Sequence, residues 1–176
     1  MTVEKPVLIC LYGPESVGKT TLARQLAEHY QTVFVPEVAR DLITSNDLTP
    51  ADYIRIGKAQ TDAVKNAIAL ANKLVICDTD LITTELYAQI YLNEVPPVLY
   101  ELEQEIGYDR HFLLDIDVPW IADGLRDLGH RREEIYAMFQ EALIRRGLDY
   151  VHVAGSWEAR WQIVTTEIDR LLKRDR

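Results

Sequence analysis

"GPESVGKTT" occupies residues 13–21, directly after the uninterrupted apolar run "VLICLY" at 7–12. Gly13, Gly18, Lys19 and Thr20 complete the pattern G-x-x-x-x-G-K-[ST]. The two glycines let the backbone curl until successive N–H groups face a single point, which suits phosphate oxygens. Lys19 supplies charge near the β- and γ-phosphates, and the Thr20 hydroxyl is a ligand for Mg²⁺. A helix starting at Lys19 directs its positive end at the same anion. The stretch is therefore a phosphate loop, and the open question is what receives the phosphate.

Outward from the loop, strand-like and helix-like stretches alternate. An amphipathic helix is predicted over 19–30, with Leu22, Leu26 and Tyr30 on one face. A short strand follows at 32–35. Thr49-Pro50 reads as an N-cap with Pro at the first helical position, opening a helix that runs to Asn72. "KLVIC" (73–77) is a third strand, and 81–106 is helical but broken at Pro96-Pro97. "HFLLDI" (111–116) is a fourth strand, 120–146 a helix, 150–155 a fifth strand and 157–174 a closing helix. Five β-α repeats predict an α/β fold, a five-stranded parallel sheet with helices on both faces. The whole chain, 1–176, reads as one P-loop domain. In such sheets ligands bind beyond the carboxyl ends of the strands, and every motif below follows one of those ends.

Three motifs bear on the acceptor. "FVPEVAR" (34–40) puts Glu37 just past the second strand, with Arg40 three residues on. A carboxylate there can take a proton from an incoming hydroxyl or hold ribose hydroxyls. "VICDTD" (75–80) ends the third strand in Asp78 and Asp80. Alternation along an extended chain points both the same way, and Asp78 is the expected metal ligand beside Thr20. "DGLRDLGHRREE" (123–134) carries Arg126, Arg131 and Arg132 on a lid segment around 120–134. Arginines there can close over a triphosphate and exclude water, which a kinase needs and a hydrolase does not. Trp120 follows the fourth strand, within reach of the site. Tyr87 and Tyr91 share a helical face, either packing or stacking on a ring. No N-K-x-D reads guanine, since Val75 stands where the Asp would be in "ANKLV". An AAA+ motor would normally need more chain than this.

Composition narrows the class further. Of 176 residues, 48% are hydrophobic and 27% charged, with net charge −9. An acidic chain argues against a nucleic-acid partner. Cys10 and Cys77 sit in apolar runs and read as core thiols in a reducing cytoplasm, without zinc spacing. The opening "MTVEKPVLIC" is too short in apolar residues for a signal peptide, and no run approaches the ~20 residues of a membrane span.

Taken together, "GPESVGKTT", "VPEVAR", "CDTDLITT" and "PWIADGLRDLG" resemble the ribosylnicotinamide kinase domain of the bifunctional NadR-type proteins. The resemblance spans nearly the whole chain and rests on the two longer, more particular runs. It implies a fold of small P-loop nucleoside kinases, ATP and Mg²⁺ as cofactors, and phosphate transfer to the 5′-hydroxyl of nicotinamide riboside. By the same resemblance Gly13, Pro14, Glu15, Ser16, Val17, Gly18, Lys19, Thr20 and Thr21 hold ATP, and Asp78 sits at the metal. Glu37, Arg40 and Asp80 face the riboside, Arg126 belongs to the lid, and Arg131 and Arg132 are further lid candidates. Glu37 and Asp80 compete for the position at the acceptor hydroxyl. Where bifunctional members carry Trp before the motif Glu, this chain has Pro36.

Overall fold

The computed structural model describes residues 5–71 and 73–174. Five strands form one parallel sheet: β1 (Val7–Tyr12), β2 (Val33–Val35), β3 (Leu74–Asp78), β4 (Arg110–Leu114) and β5 (Tyr150–Val153). Their order is β2-β3-β1-β4-β5. β1 is central and buried at every position. A strand covered on both faces must be apolar throughout rather than alternating, which is why "VLICLY" reads as an unbroken run.

The helices are α1 (Lys19–Tyr30), α2 (Ala39–Leu42), α3 (Pro50–Leu70), α4 (Leu81–Leu92), α5 (Pro97–Glu103), α6 (Arg132–Arg145) and α7 (Trp157–Arg174). Two layers cover the sheet. On one face Leu22 and Leu26 of α1 and Val164, Ile168 and Leu171 of α7 pack against Ile9 and Leu11 of β1. On the other, Cys10 and Tyr12 meet Ile82, Ile135 and Phe139 from α4 and α6, while Leu8 and Val75 meet Val64 of α3. Successive β1 residues thus serve opposite layers, as the strand period of two requires. Both cysteines are buried free thiols, and burial pushes each thiol up from its ordinary range. Among the described residues no helix is long and apolar enough to cross a membrane.

Local signals explain most boundaries. Thr49 accepts from the Asp52 N–H while Asp52 accepts from the Thr49 N–H, a reciprocal capping box ahead of Pro50. α3 ends at Leu70, and Asn72, its expected last residue, lies outside the described residues. The break at Pro96-Pro97 separates α4 from α5. The helix expected over 120–146 is shorter at its start. α6 begins only at Arg132, after a short 3-10 turn at Gly129–Arg131. Asp123 Oδ1 accepts from the N–H groups of Leu125 and Arg126 (2.9 Å each), closing a local turn that competes with the helix. Gly124 and Gly129 weaken helical preference further.

Candidate active site

The loop after β1 is shaped by backbone conformations that few residues tolerate. Gly13 (φ 142°) and Gly18 (φ 90°) are left-handed, and Ser16 joins them at φ 61°. A Cβ on Gly18 would meet the Trp157 ring at 2.2 Å, so glycine is required there for space as well as conformation. Lys19 is nearly buried, and its ammonium donates to the carbonyls of Gly13 (2.9 Å) and Pro14 (2.7 Å). Beneath the loop lies Arg160, fully buried, which donates to the carbonyls of Val17 (3.4 Å), Gly155 (3.0 Å) and Asp115 (3.1 Å) and pairs with Asp117. Nothing in "AGSWEAR" marks that arginine as a brace for a loop 143 residues away.

Pairing of β1 with β3 sets Leu11 beside Asp78, and so carries Asp78 to the loop. Thr20 Oγ1 donates to Asp78 Oδ2 at 2.6 Å. The other carboxylate oxygen, Oδ1, is buried with no protein partner. A hydroxyl and a carboxylate with a spare buried lone pair form a hard oxygen donor set, which fits Mg²⁺ held jointly with phosphates. Thr20 and Asp78 are the residues that would hold it.

Asp78 and Asp80 do not point the same way. Thr79 between them has φ 81°, an uncommon state for a β-branched residue, and this turns the chain out of the extended form. Asp80 consequently faces the interior. Its Oδ1 caps α4, accepting from Thr83 N (3.0 Å) and Thr83 Oγ1 (3.1 Å), and its Oδ2 lies 2.9 Å from His111 Nε2. Both oxygens are engaged and the side chain is 1% exposed, so Asp80 stands outside the cleft instead of facing an acceptor.

A cleft opens from the phosphate loop between α2, α3 and α4. Glu37 and Arg40 are in its wall, together with Lys19, Thr20 and, from the segment after β4, Arg126. Glu37 keeps only 25% of its side-chain surface accessible, and burial pushes its carboxyl up from the ordinary range against the pull of the Lys19 charge. Arg40 lies 3.6 Å from Glu37 and donates to Asp123 at 2.9 Å, linking α2 to the lid segment. Arg126 donates to the Ile121 carbonyl (3.3 Å) and lies 3.4 Å from Asp123. The cleft is also lined by Tyr53, Ile56, Tyr87 and Tyr91, with Gln60 and Thr79 as polar members. Tyr87 and Tyr91 stack at 6.4 Å, and the Tyr91 hydroxyl bonds to the Asp127 carboxylate.

Glu15, Ser16, Val17, Gly18 and Thr21 of the loop also line the cleft, whereas three expected site residues lie elsewhere. Arg131 forms a surface pair with Glu134 (2.6 Å). Arg132 does not line the cleft but donates to the Ser16 carbonyl at 3.1 Å and to the Val118 carbonyl, tying the lid segment to the loop. Trp120 packs on Gly129, where a Cβ would meet its ring at 2.7 Å, and is not in the cleft wall. Tyr53, Gln60, Asn46 and Asp123 were not evident from sequence. Each becomes part of the site only through contacts between segments remote in the chain. Asn46, for example, donates to the Leu125 carbonyl at 2.8 Å.

Comparison with known proteins places this geometry. A family model described as an AAA domain matches residues 8–160. The chain is 32% identical over 153 residues to the trifunctional NAD biosynthesis/regulator protein NadR of Salmonella typhimurium, and equally to that of Escherichia coli. Those alignments take in 82% of this chain and 37% of each relative, so the chain spans little over a third of their length. Among solved structures, NadR in complex with NR superposes with TM-score 0.79 at 23% identity, covering 94% of this chain and 50% of that one. NadR with NAD and AMP-PNP gives 0.81 at 23% identity, covering 96% and 50%. Deoxyadenosine kinase from M. mycoides gives 0.68 at 12% identity, covering 93% and 100%. The fold is that of P-loop nucleoside kinases.

Proposed function

The chain belongs to the AAA domain family, and within it we propose that it transfers the γ-phosphoryl group of ATP to the 5′-hydroxyl of nicotinamide riboside. The observation that carries the reading is the cleft itself. It opens directly from the phosphate loop and has a recessed carboxylate, Glu37, in its wall. A hydrolase needs no room for a second organic molecule beside the loop. The kinship with NadR supports the choice of riboside, and the NadR structure holding AMP-PNP supports ATP as the donor.

In this reading Lys19 and the loop N–H groups hold the β- and γ-phosphates. Thr20 and Asp78 would hold Mg²⁺, which when bound would supply charge neutralisation at the phosphate oxygens. Glu37 orients the 5′-hydroxyl and accepts its proton as the 5′-oxygen bonds to phosphorus and the bond to the β-phosphate oxygen breaks. The products are ADP and nicotinamide mononucleotide. Arg40 and Arg126 supply positive charge around the transferring group. The nicotinamide ring of the riboside is a pyridinium cation. Tyr53 and Tyr87 line the cleft, and aromatic faces attract such cations.

The rival reading, a nucleotide hydrolase, is carried by the family's description as an AAA domain. A substrate panel separates the two. ADP release is measured with nicotinamide riboside, adenosine, uridine and no acceptor. The kinase reading requires the highest kcat/KM with nicotinamide riboside. Equal ADP release in every tube contradicts it.

A further inference from the structure

Gln60 is 1% exposed, on the face of α3 that also carries Tyr53 and Ile56 into the cleft. Its Oε1 accepts from the backbone N–H of Val38 at 3.1 Å. That contact fixes which end of the amide is which, because a backbone N–H can bond only to the oxygen. The Nε2 end must then point the other way, and it is buried with no protein partner. A buried amide donor left unmade is costly, so its retention in a cleft wall points to a partner supplied from the cleft.

The position of Gln60 says what kind of partner. One side of the residue is tied to Val38, next to Glu37. One turn away along α3 is Ile56, and Tyr53 lies one turn further, both in the cleft wall. An atom meeting Nε2 therefore belongs to a molecule seated in the cleft between Val38 and the Tyr53–Ile56 face of α3. It must be a hydrogen-bond acceptor, since Nε2 can only donate.

We propose that Gln60 is a specificity-determining residue that donates through Nε2 to an acceptor atom on the ring edge of the acceptor riboside, the carbonyl oxygen of a carboxamide in the case of nicotinamide riboside. This rests on the riboside-kinase reading and deepens it. Sites that hydrogen-bond a substrate discriminate against analogues lacking the group far more strongly than apolar pockets do. The wild-type protein is expected to prefer nicotinamide riboside over the unsubstituted pyridinium riboside by about 10- to 100-fold in kcat/KM.

The test measures that ratio in the wild type, Gln60→Glu and Gln60→Met. Gln60→Glu keeps the oxygen that holds Val38 and removes the donor. Gln60→Met removes both without charge. A ratio of two substrates in one preparation is independent of the fraction folded, so partial misfolding does not obscure the result. The proposal requires the ratio to fall at least about tenfold in both variants, with KM for ATP unchanged. An unchanged ratio in either variant overturns it while leaving the kinase reading intact. A wild type that phosphorylates neither riboside overturns the nicotinamide riboside reading, and the role of Gln60 with it.

Discussion

The two ends of the cleft are built by different means. At the donor end, nine consecutive residues, 13–21, form the loop, and it is braced by β1, the N-terminus of α1 and buried Arg160. At the acceptor end, the wall is assembled from α2, α3, α4 and the segment after β4. The donor end resembles a preformed socket whose lysine and threonine are already bonded to protein atoms. Buried polar atoms without a partner occur at both ends, Glu15 Oε2 and Asp78 Oδ1 by the loop and Gln60 Nε2 in the acceptor wall. On the proposed reading, the triphosphate is held by local backbone geometry and the acceptor by packing between segments remote in the chain.

Substitutions at the two ends should therefore fail differently. Lys19→Ala removes the charge at the phosphates and should cost about 10²- to 10³-fold in kcat with every acceptor, roughly 3–4 kcal/mol of transition-state stabilisation. Steady-state kinetics on a correctly folded variant check this. A loss confined to one acceptor would erase the distinction between the ends.

Glu37→Gln keeps shape while removing the proton acceptor, and should lower kcat about 10²-fold while leaving ATP affinity unchanged. The pH profile sharpens the point. Burial raises the Glu37 carboxyl above its ordinary range, so the free protein keeps a proton there to higher pH than an exposed glutamate would. A protonated base cannot accept another proton. The acid limb of kcat/KM should accordingly lie above the usual carboxylate range, with activity falling as pH drops through it. Glu37→Gln should lack that limb.

Asp80→Ala is the smallest of the three for chemistry and the largest for stability. It deletes the cap of α4 and the partner of His111, and should destabilise the fold by about 2–4 kcal/mol in denaturant unfolding. Turnover per folded molecule should stay within a few-fold of wild type. A stable but inactive variant would move Asp80 to the acceptor and displace Glu37.

The same division governs what could be read from sequence. The loop was legible because its chemistry is contiguous, and the sheet because strands buried on both faces leave unbroken apolar runs such as "VLICLY" and "LVIC". The orientation of Asp80 was not legible, since it turns on a single positive φ at Thr79 that no glycine advertises. The start of α6 was misplaced because an Asp123 side chain claims backbone N–H groups that a helix would use. Gln60 gave no signal at all. It looks like any polar residue in a 21-residue helix until the fold buries it beside Val38.

The central claim is that the phosphoryl group goes to an organic acceptor held in the cleft beside Glu37. It is tested most directly by following ATP, Mg²⁺ and nicotinamide riboside in one tube by ³¹P NMR. The account predicts one new 5′-phosphomonoester for each ADP formed, with ADP formation nearly abolished when the riboside is left out. Inorganic phosphate appearing one-for-one with ADP, at a rate indifferent to the riboside, would contradict it.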